Sequence, residues 1–131
     1  MNEFPPEFVT LWDTEVKSHI MNNCIPEYAA LKNLSNISKE AQKKEVQRIA
    51  DVGYHDFVGQ LFIGNMVGAV EHALADGRTD LNFINCFWQV HGVLNDEKYW
   101  QHNYAEDPDG QETQNIAKLK DYINRLAEMI I

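Results

Sequence analysis

The sequence has few cysteines and no cysteine pattern, which argues against two classes of site. Only Cys24 and Cys86 occur among its 131 residues. They are far apart in the chain and belong to no C-x-x-C or mixed Cys/His spacing, so neither a zinc site nor a dithiol redox site is indicated. We expect both to be buried thiols.

Basic residues are also scarce. The chain has 11 Lys and Arg against 20 Asp and Glu, a formal net charge of -9. Nucleic acids and anionic lipids bind to clustered positive side chains, so neither is an expected partner. A cationic protein is the natural complement.

Long apolar runs are missing as well. The most apolar stretch, Phe57 to Val70, is interrupted by Gln60 and Asn65 and is shorter than the ~20 residues that cross a bilayer. The first residues carry acidic side chains where a signal peptide needs basic ones. We therefore expect a cytoplasmic protein without a membrane span.

No recognisable catalytic or nucleotide-binding motif is present. The chain has no glycine-rich phosphate loop, no G-x-S-x-G elbow and no Glu-x-x-His pair of the kind used in di-metal bundles. One alternative stays open, a small helical enzyme with a histidine and carboxylate site, with or without a metal. Its candidate residues are Asp51, His55, Glu71, His72 and His91. The preferred interpretation has no catalytic residue, no metal and no cofactor.

The residues that are present predict a helical fold. A hydrophobic content of 44% in 131 residues suits one self-sufficient domain, residues 1–131. Apolar residues recur at spacings of three and four, and no stretch alternates in the manner of a strand. The sequence predicts an all-α, compact single-domain bundle of five to seven helices. Their expected extents are Pro6 to Met21, Glu27 to Leu34, Lys39 to Asp76, Asp80 to Leu94, Glu97 to Tyr104, and a last helix from Glu112.

Local signals give these helices their expected ends. Ser38 is the predicted N-cap of the longest helix and Gly77 its stop, while Thr79 is the predicted cap of the next helix. Asn22 and Asn23 are expected to end the first helix. Glycines 53 and 59 could kink the longest helix, and the Gly64-x-x-x-Gly68 spacing predicts a tight helix crossing.

The most informative stretch is residues 95–112, which we call the acidic segment. It holds six carboxylates against one Lys, together with three large rings. Asp107-Pro108-Asp109-Gly110 is a turn signal, which places much of the segment at the surface. The carboxylates are Asp96, Glu97, Glu106, Asp107, Asp109 and Glu112, and the rings are Tyr99, Trp100 and Tyr104.

This composition favours a docking surface. Carboxylates speed the encounter with a basic partner, and Trp and Tyr are typical buried anchors of an interface. The alternative is a solvated loop in which Trp100 covers the edge of the core. A second acidic edge is expected near the start of the chain, from Glu3, Glu7, Asp13 and Glu15.

In size, charge and expected helicity the chain is similar to bacterial immunity proteins and to small phage-encoded inhibitors, a resemblance of class without a shared motif. The resemblance implies a protein inhibitor that neutralises a basic toxin or nuclease domain by covering its active site. The oligomeric state stays open, and a structural homodimer that buries Trp100 against its own copy is a third interpretation.

Overall fold

The structure is a computed structural model that describes residues 2–25 and 36–131. For residues 49–61 it describes the backbone alone. Over these ranges every regular element is helical and no strand occurs, which confirms the all-α prediction. The described ranges contain six α-helical segments, two of them joined by π-helical turns into one helix. The helix predicted at Glu27 to Leu34 lies outside the described residues.

The first helix, α1, covers residues 6–24 and contains two wide turns. Its segments are Pro6–Leu11 (α), Trp12–Val16 (π), Lys17–His19 (α) and Ile20–Cys24 (π). The buried residues on this helix and just before it recur every four positions. Because an α-helix has 3.6 residues per turn, residues at this spacing would gradually move around the helix surface. Wider π turns return the series to one side, where Phe4, Phe8, Trp12, Val16, Ile20 and Cys24 are all buried.

The prediction that Asn22 and Asn23 end this helix is wrong. Both lie inside the second π turn, which closes when the Ile25 N–H donates to the carbonyl oxygen of Ile20 at 2.9 Å. The Asn23 side chain bonds back to His19 one turn earlier. These two hydrogen bonds keep Asn22 and Asn23 within the helix, although asparagines often favour a helix end.

The second helix, α2, spans Lys39–Asp76 and has both predicted ends. Ser38 Oγ accepts a hydrogen bond from the Ala41 N–H at 3.2 Å, and Gly77 adopts the left-handed conformation with φ 71°. The helix continues without a break through Gly53 and Gly59. Among its described side chains, the buried ones begin at Ile63.

The third helix, α3, spans Leu81–Leu94, and its cap is Asp80 rather than Thr79. Asp80 Oδ1 accepts from the Phe83 N–H at 2.8 Å. Thr79 instead donates its N–H and its hydroxyl to Glu3 Oε2, at 2.5 and 3.0 Å. The prediction of Thr79 as the cap is therefore wrong, because a contact distant in sequence uses its side chain.

Two further helices complete the described chain. Helix α4 spans Glu97–Tyr104 and helix α5 spans Gln111–Ile130, close to the predicted extents. Helix α5 packs against both α1 and α3, and α3 packs against α2. The shared core includes Trp12 and Ile20 of α1, Met66 and Val70 of α2, Phe83 and Phe87 of α3, and Leu119, Ile123 and Leu126 of α5.

Glu71 ties α1 to α2 beside this core. Its Oε1 accepts from the indole N–H of the buried Trp12 at 3.4 Å and pairs with Lys17 Nζ at 2.5 Å. The predicted tight crossing at Gly64 and Gly68 is wrong for the second glycine. Gly68 is exposed, and a Cβ there would meet nothing within 4 Å.

None of the described helices is both long enough and apolar enough to cross a membrane.

Candidate protein-binding surface

The three rings of the acidic segment form one cluster that packs inward. Ring centroids of Tyr99 and Trp100 lie 5.7 Å apart, those of Tyr99 and Tyr104 5.7 Å, and those of Trp100 and Tyr104 5.2 Å. All three side chains are half-buried against the hydrophobic core. The cluster therefore braces α4 on the bundle while each ring keeps part of its surface in solvent.

Trp100 holds the end of α3. Its indole N–H donates to the carbonyl oxygen of Leu94 at 2.6 Å, and Lys120 of α5 places its Nζ 5.7 Å from the ring centroid. The last carbonyls of a helix have no partner within it, so this bond satisfies one of them. These contacts match the alternative in which Trp100 covers the core edge.

A pair of asparagines fixes the same corner to α5. Asn95 Nδ2 donates to Asn124 Oδ1 at 2.8 Å, and Asn124 Nδ2 donates to Asn95 Oδ1 at 3.2 Å. Asn95 Nδ2 also donates to the carbonyl oxygen of His91 at 2.8 Å. The start of the acidic segment is thus held by side-chain bonds as well as by ring packing.

All six carboxylate-bearing residues of the segment are exposed. Two helices begin within it, and negative charge is stabilised near a helix N-terminus. Asp96 caps α4 by accepting from the Lys98 N–H at 2.9 Å, and Glu97 and Glu112 stand in the first turns of α4 and α5. Helix-start chemistry thus explains part of the acid content, with the charges still directed to solvent.

The loop between α4 and α5 is held by main-chain acceptors. The Asp107 carbonyl oxygen accepts from the Gly110 N–H at 3.2 Å and from Thr113 Oγ1 at 2.8 Å. The Asp109 carbonyl oxygen accepts from Gln114 Nε2 at 2.7 Å. The backbone that carries the exposed Asp107 and Asp109 is therefore held in place by hydrogen bonds.

The histidines and carboxylates proposed for an enzyme site do not assemble where the structure describes them. The His91 ring makes a T-shaped contact with the Trp88 ring, with centroids 5.2 Å apart, while His72 faces Asp76 and Asp80. Asp80 and His91 are eleven residues apart on one helix, roughly 16 Å at 1.5 Å per residue. Glu71 turns to Trp12. The side chains of Asp51 and His55 lie outside the described residues.

Among the described side chains, the buried histidine is His19, which lies one turn after Glu15 on α1. His19 Nε2 lies 2.9 Å from the carbonyl oxygen of Asn115, and its Nδ1 lies 3.2 Å from Asn23 Nδ2. An amide nitrogen can only donate, so Nδ1 accepts and Nε2 carries the proton. Glu15 instead accepts from the Tyr122 hydroxyl at 3.3 Å. Both ring nitrogens are used structurally.

The second acidic edge is only partly available. Glu7 and Asp13 are exposed. Glu3 is bonded to Thr79, whose backbone N–H and hydroxyl lower the pKa of the Glu3 carboxyl, and Glu15 is bonded to Tyr122. Two of the four predicted carboxylates, Glu3 and Glu15, therefore bond to other parts of the bundle, and the other two, Glu7 and Asp13, are exposed.

An exposed apolar stripe on α3 is a feature that sequence reasoning missed. Apolar residues lie on two sides of this helix, yet Leu81 is 84% exposed and Ile84 44%, with Trp88 half-buried beside them. These three, which we call the outer α3 stripe, are spaced so that they share one helix face. Only the opposite side is buried: Phe83, Phe87, Val90 and Leu94.

Searches against models of protein families, curated proteins and solved structures found no match to this chain.

Proposed function

We propose that this protein is a binding protein rather than an enzyme, and that it inhibits a basic toxin or nuclease domain by docking on its active site through the acidic segment. The observation that carries the proposal is the exposure of Asp96, Glu97, Glu106, Asp107, Asp109 and Glu112 on one continuous segment, braced from beneath by a ring cluster. Immunity proteins that protect a cell from its own toxin are the model for this function.

Charge gives the expected partner its sign. The segment carries six carboxylates and one Lys. Enzymes that cleave nucleic acids have positive clefts that receive phosphates, so a row of carboxylates can occupy the same cleft. Complementary charge of this kind raises the association rate and makes it sensitive to salt.

Preorganisation supports the same function. Binding costs free energy when loops and side chains must be ordered at the interface. Here the Asn95 to Asn124 bonds, the Trp100 to Leu94 bond and the Asp107 turn already hold the segment in place. Because the backbone of the segment is already held in place, a partner would lose little free energy in ordering it on binding.

Apolar anchors complete a stable interface, and the structure offers two sources. The rings of Tyr99, Trp100 and Tyr104 are half-buried, so their exposed edges can still be covered by a partner. The outer α3 stripe supplies Leu81 and Ile84, which are more exposed and lie near the opposite end of the helix that leads into the segment. Buried anchors of this kind slow dissociation, whereas rim carboxylates act on association.

The test is a comparison of proteins captured from a cell lysate at low salt by three immobilised forms of the chain. They are the wild type, a double variant Glu106→Lys with Asp109→Lys, and a control double variant Glu40→Lys with Glu128→Lys. Both variants reverse two exposed carboxylates, so their net charges are equal. Asp107 is left intact because its carboxylate lies against Gly110 in the turn.

We expect a basic protein that the wild type and the control retain and the segment variant loses. The captured protein must also lose its toxic or nuclease activity when the wild type is added. Equal retention by all three forms would remove the acidic segment from consideration. Binding without loss of the partner's activity would leave a docking protein and exclude an inhibitor.

A further inference from the structure

We propose that His72, Asp76 and Asp80 form a binding site for a divalent transition-metal ion of the zinc class. The site lies where α2 ends and α3 begins, away from the acidic segment. The metal alternative considered from the sequence included His72, but with partners other than Asp76 and Asp80. His72 Nε2 lies 3.3 Å from Asp76 Oδ2 and 3.8 Å from Asp80 Oδ2, and one donor atom from each residue lies within 4.8 Å of the others.

These separations suit ligands around one ion. Zinc binds histidine nitrogen and carboxylate oxygen at about 2.0–2.2 Å in a tetrahedral arrangement, which sets two ligand atoms roughly 3.4 Å apart. Charge-assisted hydrogen bonds between nitrogen and carboxylate oxygen are shorter, at about 2.7–2.9 Å. The two observed distances from Nε2 are therefore longer than a typical charge-assisted hydrogen bond and close to the edge of a zinc tetrahedron.

The two ligands on α2 are held by helix geometry. His72 and Asp76 are four residues apart in its last turns, so their side chains share one face. This spacing is also found in metal-binding helices, where two ligands stand one turn apart. Neither side chain is needed for the core, since both are exposed.

The third ligand reaches the site from the next helix. Asp80 uses Oδ1 to cap α3 by accepting from the Phe83 N–H, which orients the carboxylate and leaves Oδ2 toward His72. The intervening turn is fixed by Gly77 in its left-handed conformation and by the Glu3 N–H, which donates to the Gly77 carbonyl oxygen at 2.7 Å. Three ligands from two elements are thus positioned before an ion arrives.

The donor set indicates the class of ion. One imidazole nitrogen with two carboxylate oxygens suits zinc and neighbouring transition metals better than calcium, which takes six to eight oxygen ligands. The solvent-exposed side leaves room for a water as the fourth ligand. A bound ion would join the end of α2 to the start of α3 and stabilise the folded chain by mass action.

Calorimetric titration of the full-length, metal-free protein with Zn²⁺ tests the proposal, together with the visible spectrum of the Co²⁺ form, which reports tetrahedral coordination. The test variants are His72→Ala and Asp76→Asn, both at exposed positions. Asp80 is not substituted, because loss of the α3 cap would itself lower stability. The matched controls are His102→Ala, an exposed histidine on α4, and Cys86→Ala, a half-exposed thiol.

We expect one Zn²⁺ per chain in the wild type and both controls, a higher melting temperature with Zn²⁺ present, and affinity at least about tenfold weaker in each test variant. Circular dichroism should show that the test variants stay folded. Absence of zinc binding in the wild type, binding that survives both test substitutions, or binding that depends on Cys86 or His102 would each overturn the proposal.

Discussion

The indole N–H of Trp100 and the carbonyl oxygen of Leu94 are joined by a hydrogen bond of 2.6 Å, which links the last turn of α3 to the short helix that follows it. A helix of eight residues is too short to be stable alone in water. Packing of its rings on the bundle must therefore maintain α4, and Trp100 is at the centre of that packing.

Replacing Trp100 by Ala should lower the free energy of unfolding by about 3 kcal/mol, because the substitution removes a large half-buried ring and the partner of a helix-end carbonyl. Trp100→Phe keeps a ring but loses the hydrogen-bond donor, so we expect the free energy of unfolding to fall by about 1 kcal/mol. Urea unfolding followed by circular dichroism measures both. A Trp100→Ala protein as stable as the wild type would show that the ring cluster does not brace the segment.

Two glycines should respond to alanine with opposite signs. Gly77 has φ 71°, where a Cβ costs about 1 kcal/mol or more, so Gly77→Ala should destabilise the protein. Gly68 lies inside α2 with nothing within 4 Å of a built Cβ, so Gly68→Ala should raise stability by up to ~1 kcal/mol. Urea midpoints that shift in the same direction for both variants would contradict the assigned backbone conformations.

Cys24 should make stability depend on pH in the alkaline range. Burial raises the pKa of its thiol from 9.0 to about 12. The folded state therefore holds this proton more tightly than the unfolded state, so the contribution is complete below about pH 9 and is lost as the pH rises toward 12. The loss is at most about 1.4 kcal/mol per pH unit.

The check is the free energy of unfolding between pH 8 and 11 for the wild type and for Cys24→Ala. The two proteins differ only at residue 24, so the difference between their profiles isolates Cys24. The wild type should lose stability more steeply above pH 9. Parallel profiles for the two proteins would mean that this thiol is not buried as described.

Sequence signals at helix ends were sufficient where they act locally. Ser38 caps α2, Gly77 ends it and Pro6 lies in the first turn of α1, because each effect depends on residues within one turn. They failed where a distant residue intervenes. Thr79 looked like the cap of α3, yet Glu3 from the start of the chain takes its hydroxyl and leaves the role to Asp80.

The candidate surface was predictable in composition but only partly in structure. Exposure of its carboxylates follows from charge and turn residues in residues 95–112. The inward packing of Trp100 depends on Leu94 and Lys120, and contacts between helices cannot be read from spacing. The exposed face of α3 was missed for a similar reason, since periodicity shows two apolar sides and not which one the bundle covers.

The cluster of His72, Asp76 and Asp80 was likewise predictable only in the part that depends on local spacing. The spacing of His72 and Asp76 places both on one helix face, whereas the adjacent candidate carboxylate, Glu71, points to Trp12. Asp80 joins them only because of the turn at Gly77.

The most direct test of docking by the acidic segment is the association rate with the purified basic partner, measured at several salt concentrations. We expect a rate that falls steeply with salt for the wild type and for Glu40→Lys with Glu128→Lys. For Glu106→Lys with Asp109→Lys, a slower rate and a flatter salt dependence are expected. If the segment variant associates as fast as the wild type, with the same salt dependence, the partner lands elsewhere on the molecule.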